Sequence, residues 1–364
     1  VRSEFQAPWW CRHRHLQTVW GPLFRRGRLP LRRERLTLPD GDFVDLDWLD
    51  GPPPRRGGSI DASTCVPARS EAPLMLVLHG LEGSSRSHYV MGLLREAAGL
   101  GWRGVAFNFR SCSGELNRLP RFYHSGDTGD LDAVVQRLTA REPAAVIGAV
   151  GVSLGGNVLL KWLGERGAGV PRAVIAAAAV SVPYDLEACA RVMDRGFERV
   201  VYTTSFLRTM RRKVHEKAAR HPGFVDLAAV RRARTFAAYD RAMTAPVHGF
   251  RDEVDYWTRA SSRPYLTAIR RPTLLINALD DPFVPVRALP DPATLPAHVQ
   301  VRLVERGGHA GFIEGRWPWR ARSWAERVAV EFVTSHVRGN AVTDSGDAGG
   351  RGDRPSPTPP LFTP

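Results

Sequence analysis

Lysine is nearly missing from this chain: of 51 basic residues only Lys161, Lys213 and Lys217 are lysines, and the rest are arginines. A net charge of +14 would otherwise suggest a nucleic-acid partner. An arginine bias spread this evenly, beside abundant alanine and glycine, instead reflects base composition, and no recognition motif accompanies it, so no nucleic-acid partner is expected. Cysteine is scarce too. Cys11, Cys65, Cys112 and Cys189 stand far apart and form no CxxC pair, which argues against a zinc ribbon and a disulfide framework. Apolar runs of 18 residues are absent, the longest being AVIAAAAV at 173–180, so no membrane-spanning helix is expected. The opening VRSEFQAPWWCRHRHLQ lacks the apolar core of a signal peptide, and a cytoplasmic location is the expectation. No dinucleotide fingerprint or P-loop occurs, and the histidines lack ligand spacing: His13 and His15 flank one arginine, while His79, His88 and His124 come from separate stretches. No organic cofactor and no metal is therefore expected.

What remains is a chain of 364 residues, 43% hydrophobic and 24% charged, which suits a globular α/β protein with an insertion. Residues 1–31 form an N-terminal arm. RRERLTLPDGDFVDLDWLD (32–50) alternates apolar and polar residues around PDGD and predicts an antiparallel hairpin. A Pro/Gly/Ser-rich connection follows to residue 73. From 74 onward short apolar runs alternate with helical spacing: LMLVLHG with a helix near 87–98, GVAFNFR with one near 127–140, and AAVIGAVG with one from 156. Further strands are predicted at 172–182, 272–280 and 299–305, and a closing helix over 318–337. Such runs predict a mostly parallel sheet buried on both faces. Residues 32–183 and 267–338 form its two parts. Between them, 184–266 is mainly helical and arginine-rich, which predicts a cap that either decorates the edge or lids an apolar acyl pocket. The composition of 339–364 predicts a disordered tail.

The sharpest local signal is GVSLG at 151–155, set between a predicted buried strand and a predicted helix. Small residues flanking Ser153 let the strand turn abruptly into the helix, which is the G-x-S-x-G nucleophile elbow in the context it requires. The helix start directs the Leu154 N–H at an oxyanion. A second donor should come from LHGLEGSSRSHY (78–89), and Leu81 N–H is the candidate. A serine needs a base. His309 in ERGGHAGF follows the last predicted strand, and NALDDPFVP places Asp280 and Asp281 at the end of the strand before it. The order Ser, Asp, His is that of the α/β-hydrolase fold. Asp281 is the preferred acid, because that fold commonly sets it three residues before a small apolar residue, here Val284, with Asp280 left to cap the turn. His79 at a strand end suits an architectural hydrogen bond. Within the cap, Phe197, Phe206, Leu207 and Met210 are spaced so that some of them, Phe206 and Met210 being the candidates, line the acyl pocket, while Arg208, Arg211 and Arg212 should face water.

The blocks APWWCRHRHLQTVWGPL, PDGDFVDLDW, HGLEGSSRSHYV, NFRSCSGELNR, YHSGDTGDL, GVSLGGNVLLKWLGE, SVPYDL, TAPVHGF, DDPF and GGHAGF together resemble the YheT-like α/β-hydrolases, relatives of the eukaryotic ABHD-type lipases, over about residues 5–335. The resemblance implies a serine hydrolase of carboxylic esters, lipid or medium-chain acyl, with the triad on Ser153, Asp281 and His309. Acyl transfer to an alcohol uses the same acyl-enzyme, and a hydrolase-fold binding protein is the non-catalytic alternative. Ser111 stands where that family usually has glycine, and a positive φ there would cost about 1 kcal/mol. Arg110, Glu115, Arg118, His124 and Asp127 either bind a polar head group or brace loops. Trp9, Trp10 and Trp20 beside Arg12, Arg14, Arg25 and Arg26 either pack on the domain or make peripheral membrane contact. The oligomeric state is not readable.

Overall fold

The computed structural model describes residues 5–25, 27–50 and 72–344. Most of the connection after the hairpin, Arg26 and the last twenty residues lie outside the described part. The sheet has eight strands: β1 (Arg32–Thr37), β2 (Phe43–Leu49), β3 (Leu74–Leu78), β4 (Arg103–Asn108), β5 (Ile147–Val152), β6 (Val174–Val180), β7 (Thr273–Ala278) and β8 (Val299–Val304). Their order is β1-β2-β4-β3-β5-β6-β7-β8. β1, β2 and β4 pair antiparallel and every later neighbour is parallel. The wholly apolar runs become strands that are buried along their whole length, as in β3 and β6.

Helices cover both faces. α3 (Thr128–Arg141) and α4 (Leu154–Arg166) pack their apolar stripes on one side, and α2 (His88–Gly99) and α12 (Trp324–Asp344) on the other. Ahead of them, α1 (Arg14–Phe24) lies against the loops at the C-terminal end of the sheet. The polar residues of β2 do not face water as simple alternation would suggest. Asp45 and Asp47 are buried opposite Arg35 and Arg33 of β1, each joined by two hydrogen bonds of 2.7–3.0 Å. The hairpin thus carries its own neutralising partners to the sheet edge.

The insertion between β6 and β7 is helical: α5 (Leu186–Met193), α6 (Gly196–Glu198), α7 (Thr204–Ala218), α8 (Leu227–Arg232), α9 (Phe236–Tyr239), α10 (Ala245–His248) and α11 (Glu253–Ala260). Two five-residue π-helical turns, Arg199–Thr203 and Asp240–Thr244, interrupt it. It has its own apolar clusters, one around Leu207, Val214, Val230 and Met243 and another around Leu186 and Trp257.

The closing helix starts later than its periodicity predicts. Residues 318–323 form a short turn and a strand, β10 (Arg322–Ser323), paired with β9 (Ile313–Glu314). Helix formation waits until Trp324 N–H reaches Phe312 O at 2.9 Å, and Ser323 Oγ donates to Gly311 O. Those bonds pin the segment to the loop that holds His309. Among the described residues no helix is long and apolar enough to cross a membrane.

Candidate active site

Glycine spacing makes the corner at Ser153 possible. A Cβ on Gly151 would sit 2.5 Å from the Gly155 carbonyl oxygen, and one on Gly155 would sit 2.5 Å from His79 O. The start of α4 can lie this close to β5 on one side and to the end of β3 on the other only without those carbons. Ser153 itself takes φ 53° and ψ −120°, a left-handed conformation that lifts its side chain out of the strand end. Its N–H is tied to Val180 O of the neighbouring strand at 2.8 Å.

The long-range partners follow. His309 Nε2 lies 2.9 Å from Ser153 Oγ, and His309 Nδ1 lies 2.9 Å from Asp281 Oδ2 and 3.1 Å from Oδ1. Asp281 is buried, and its Oδ1 accepts from the N–H groups of Phe283 at 2.8 Å and Val284 at 3.2 Å. The Phe283 ring covers the imidazole at 4.2 Å and shields it from solvent on that side. Asp280 does something different. Its Oδ1 accepts from both Gly307 and Gly308 N–H, at 2.8 and 2.9 Å, and so shapes the loop that precedes His309.

The loop after β3 is equally bound. Gly80 N–H donates to Tyr89 Oη at 2.9 Å, Glu82 N–H to Tyr123 Oη at 2.7 Å, and Gly83 N–H to Gly80 O at 3.0 Å. Leu81 N–H in that loop, and Leu154 N–H at the start of α4, find no acceptor among the described residues, and both residues line the cavity beside Ser153. His79 is buried, accepts from Phe109 N–H through Nε2 at 3.2 Å, and donates from Nδ1 to Gly80 O at 2.7 Å. Burial lowers its pKa to about 4, so it stays a neutral strut.

The cavity over Ser153 measures about 1190 Å³ and is walled by α1, the loop after β3 and the cap. Phe206 and Met210 of α7 line it, with Leu186, Met193, Phe236 and Phe283. Leu207 packs inside the cap instead, and Phe197 is exposed against His15. Arg208 and Arg212 face water, whereas Arg211 is half-buried and donates to carbonyls of Leu207, Arg231 and Ala233. The expectation for Arg211 is thereby corrected: the turn after α8 leaves carbonyls that need a donor.

Asp240 on the same cavity wall accepts from Thr244 Oγ1 at 2.7 Å and Trp257 Nε1 at 2.9 Å. Burial nevertheless raises its pKa to about 7. Between pH of about 4 and 7 the folded chain holds a proton that the unfolded chain has released, so stability present below that window is lost as pH rises through it. Relative to Asp240→Asn, the wild-type unfolding free energy should fall by about 1 kcal/mol per pH unit there. Urea melts at several pH values measure this, and parallel profiles would contradict it.

Several sequence candidates are structural. Arg110 is buried, chelates Asp130 through two bonds of 2.6 Å and reaches Asp42 at 2.9 Å, while Asp127 pairs with Arg121 at 2.8 Å. Glu115 pairs with Arg35 and Arg118 donates to Gly41 O at the surface. Among that group only His124 lines the cavity, and burial lowers its pKa to about 3. Ser111 does adopt φ 63°, and its Oγ bonds Asn117. In the arm, Trp10 donates to Gly315 O at 3.1 Å and packs on Trp20, Arg14 pairs with Glu198 and Arg25 with Glu326. Trp9 stays 64% exposed beside Trp317.

Sequence reasoning missed the support for His309. Thr18 Oγ1 accepts from His309 N–H at 3.0 Å, and the buried Gln17 amide bonds Ile313 N–H and O and Cys11 O. A polar pair on an otherwise ordinary amphipathic helix carries no local sign of this role. Among the described residues no group of three or more His, Cys, Asp or Glu is arranged to hold a metal ion.

Residues 73–316 match the family model described as the alpha/beta hydrolase fold. The chain is 40% identical over 326 residues to the Escherichia coli K12 protein named "Putative esterase YheT", covering 89% of this chain and 91% of that one. It is 32% identical over 340 residues to human "Phospholipase ABHD3", covering 93% of this chain and 80% of that one. Among solved structures, the Pyrococcus furiosus esterase PF2001 superposes with a TM-score of 0.53 at 18% identity, over 85% of this chain and 92% of that one, a likeness of fold.

Proposed function

The chain belongs to the α/β-hydrolase family, in the group that holds YheT and ABHD3, and from that membership we propose that it hydrolyses carboxylic esters through an acyl-enzyme on Ser153. The observation that carries this reading is the hydrogen-bonded series Ser153, His309, Asp281, facing a cavity that Leu81 and Leu154 also line. His309 takes the Ser153 proton as Oγ attacks the ester carbonyl, and Asp281 holds the ring in the tautomer that can accept it. The carbonyl oxygen gains charge and is received by Leu81 and Leu154 N–H, with the start of α4 adding its dipole. The alcohol leaves with the proton from His309. Water, deprotonated by the same ring, then releases the acid. Every element of acyl transfer is supplied by the chain's own groups, so no metal or organic cofactor enters the mechanism.

The apolar lining from the cap supports an acyl chain as the buried part of the substrate. A panel of p-nitrophenyl esters of graded chain length, with glycerol and short alcohols as competing acceptors, tests the reading. Turnover blocked by a serine-directed phosphonate is expected, and acyl transfer would show as ester products with the added alcohol. No turnover and no phosphonate labelling at any chain length would overturn it. Phe206→Trp and Met210→Trp should each move the optimum to shorter acids. Substrates one methylene too long for the narrowed cavity should lose on the order of tenfold in kcat/KM. An unchanged profile in a folded variant would reject the lid as the acyl selector.

A further inference from the structure

The cap reaches past the cavity and touches the loop that carries Leu81. Lys213 of α7 places its Nζ 2.9 Å from Glu82 Oε1, with both side chains largely shielded from solvent. Glu82 sits at φ 55°, a left-handed conformation that a glutamate does not favour without help. Its backbone N–H is held by Tyr123 Oη at 2.7 Å, and the same hydroxyl lies 3.2 Å from its carboxylate. Tyr123 in turn stacks on Phe109 at 5.2 Å. Burial opposes the Lys213 charge, but Cys112 and Glu82 beside it favour the charge more strongly, so its pKa is raised. Glu82 is therefore fixed at three points, and one of them belongs to the cap.

We propose that the Lys213–Glu82 ion pair makes α7 a positioning element for the oxyanion loop, so that Leu81 N–H is held at the reaction site only while the cap is seated. The inference rests on the esterase reading above. Phe206, Met210, Lys213 and Lys217 follow one another at i, i+4, i+7 and i+11, one face of the helix. The first two line the cavity. The last is buried and donates to Asn117 Oδ1, Leu119 O and Arg121 O at 2.6–2.8 Å, which seats the helix on the core. Acyl contact, oxyanion positioning and cap anchoring thus share one rigid face. A substrate that packs well against Phe206 and Met210 stabilises the same helix that holds Glu82. Lys213 lies outside the cavity lining, and the Glu82 carboxylate, although Glu82 lines the cavity, is bonded to Lys213 and Tyr123 and not to Ser153 or His309, so both act as positioning residues.

The test compares Glu82→Gln, Lys213→Met, their double variant and Lys213→Arg on the best ester of the panel. Loss of a whole oxyanion donor costs about 10²–10³ in kcat, and a displaced one less. Each disruptive single variant should lower kcat by roughly 10- to 100-fold with KM within about twofold. The double variant should be no worse than the poorer single, because one contact is lost in both, and Lys213→Arg should keep most of the rate. Full kcat in folded Glu82→Gln, multiplicative losses in the double, or a change confined to KM would overturn the inference. Should Lys213→Met lose its native melting transition, Glu82→Gln and Lys213→Arg decide the question. Absence of wild-type turnover would instead remove the esterase reading, which keeps the two failures apart.

Discussion

Ser153→Ala is expected to abolish fluorophosphonate labelling and to lower kcat by about 10⁵- to 10⁶-fold, with the melting temperature little changed. The fold should tolerate the change for a specific reason. Alanine meets the same left-handed φ of 53° that serine already bears, so the backbone cost of about 1 kcal/mol is present in both proteins. Asp281 keeps its grip on His309 from the other side. What disappears is the hydroxyl that stands 2.9 Å from His309 Nε2. Cys189 and Ser181 are among the other nucleophile-bearing residues nearby. Cys189 lines the cavity, but burial raises its pKa well above that of an ordinary thiol and leaves it unreactive. Ser181 Oγ is committed to the N–H of Ala310. Labelling that survives in Ser153→Ala would move the nucleophile to another residue and discard the mechanism. Mass spectrometry of the labelled peptide reads the outcome directly.

Asp281→Asn should lower kcat by about 10⁴-fold, whereas Asp280→Asn should cost about tenfold or less. The difference lies in what each oxygen accepts. At Asp281 one oxygen is fixed by Phe283 and Val284 N–H, so an asparagine there would keep its carbonyl on those donors and turn its NH₂ towards His309 Nδ1. That donor forces the imidazole into the tautomer with a proton on Nε2, which cannot accept one from Ser153. At Asp280 a single oxygen serves Gly307 and Gly308 N–H, and the carbonyl oxygen of asparagine can serve them too. Steady-state kinetics of the two variants checks the ranking. Equal or reversed losses would transfer the orienting role to Asp280.

The parts of this molecule that were legible in the sequence are those with a local cause. A strand buried on both faces must be apolar throughout, so LMLVL and VIAAAAV announce themselves. The elbow is legible because two glycines are needed at fixed offsets from Ser153, and the order of Ser153, Asp281 and His309 follows from strand ends. The parts that were not legible depend on groups brought together from distant segments. Thr18 on His309, Gln17 on Ile313 and Lys213 on Glu82 are ordinary polar residues, and only the folded contact distinguishes them. The late start of the last helix had the same origin, since Trp324 and Ser323 answer to Phe312 and Gly311 and not to their own periodicity. Arg110 could be read as a head-group ligand until its carboxylate partners from the hairpin and α3 were seen.

The brace of α1 on the histidine loop also ties the candidate site to the two ends of the described chain. Gln17 and Ile313 are 296 positions apart, and Thr18 and His309 are 291 apart, so these contacts close almost the whole described chain into one loop. Closing a loop of that length costs entropy that the packed core offsets. During synthesis the residues of β5, the elbow and β6 emerge before those of the histidine loop. His309 emerges only after β8, and its N–H meets Thr18 Oγ1 of the earliest helix in the finished fold. On the proposed reading, a chain that stops before β8 carries Ser153 without His309, and ester hydrolysis then requires the completed fold.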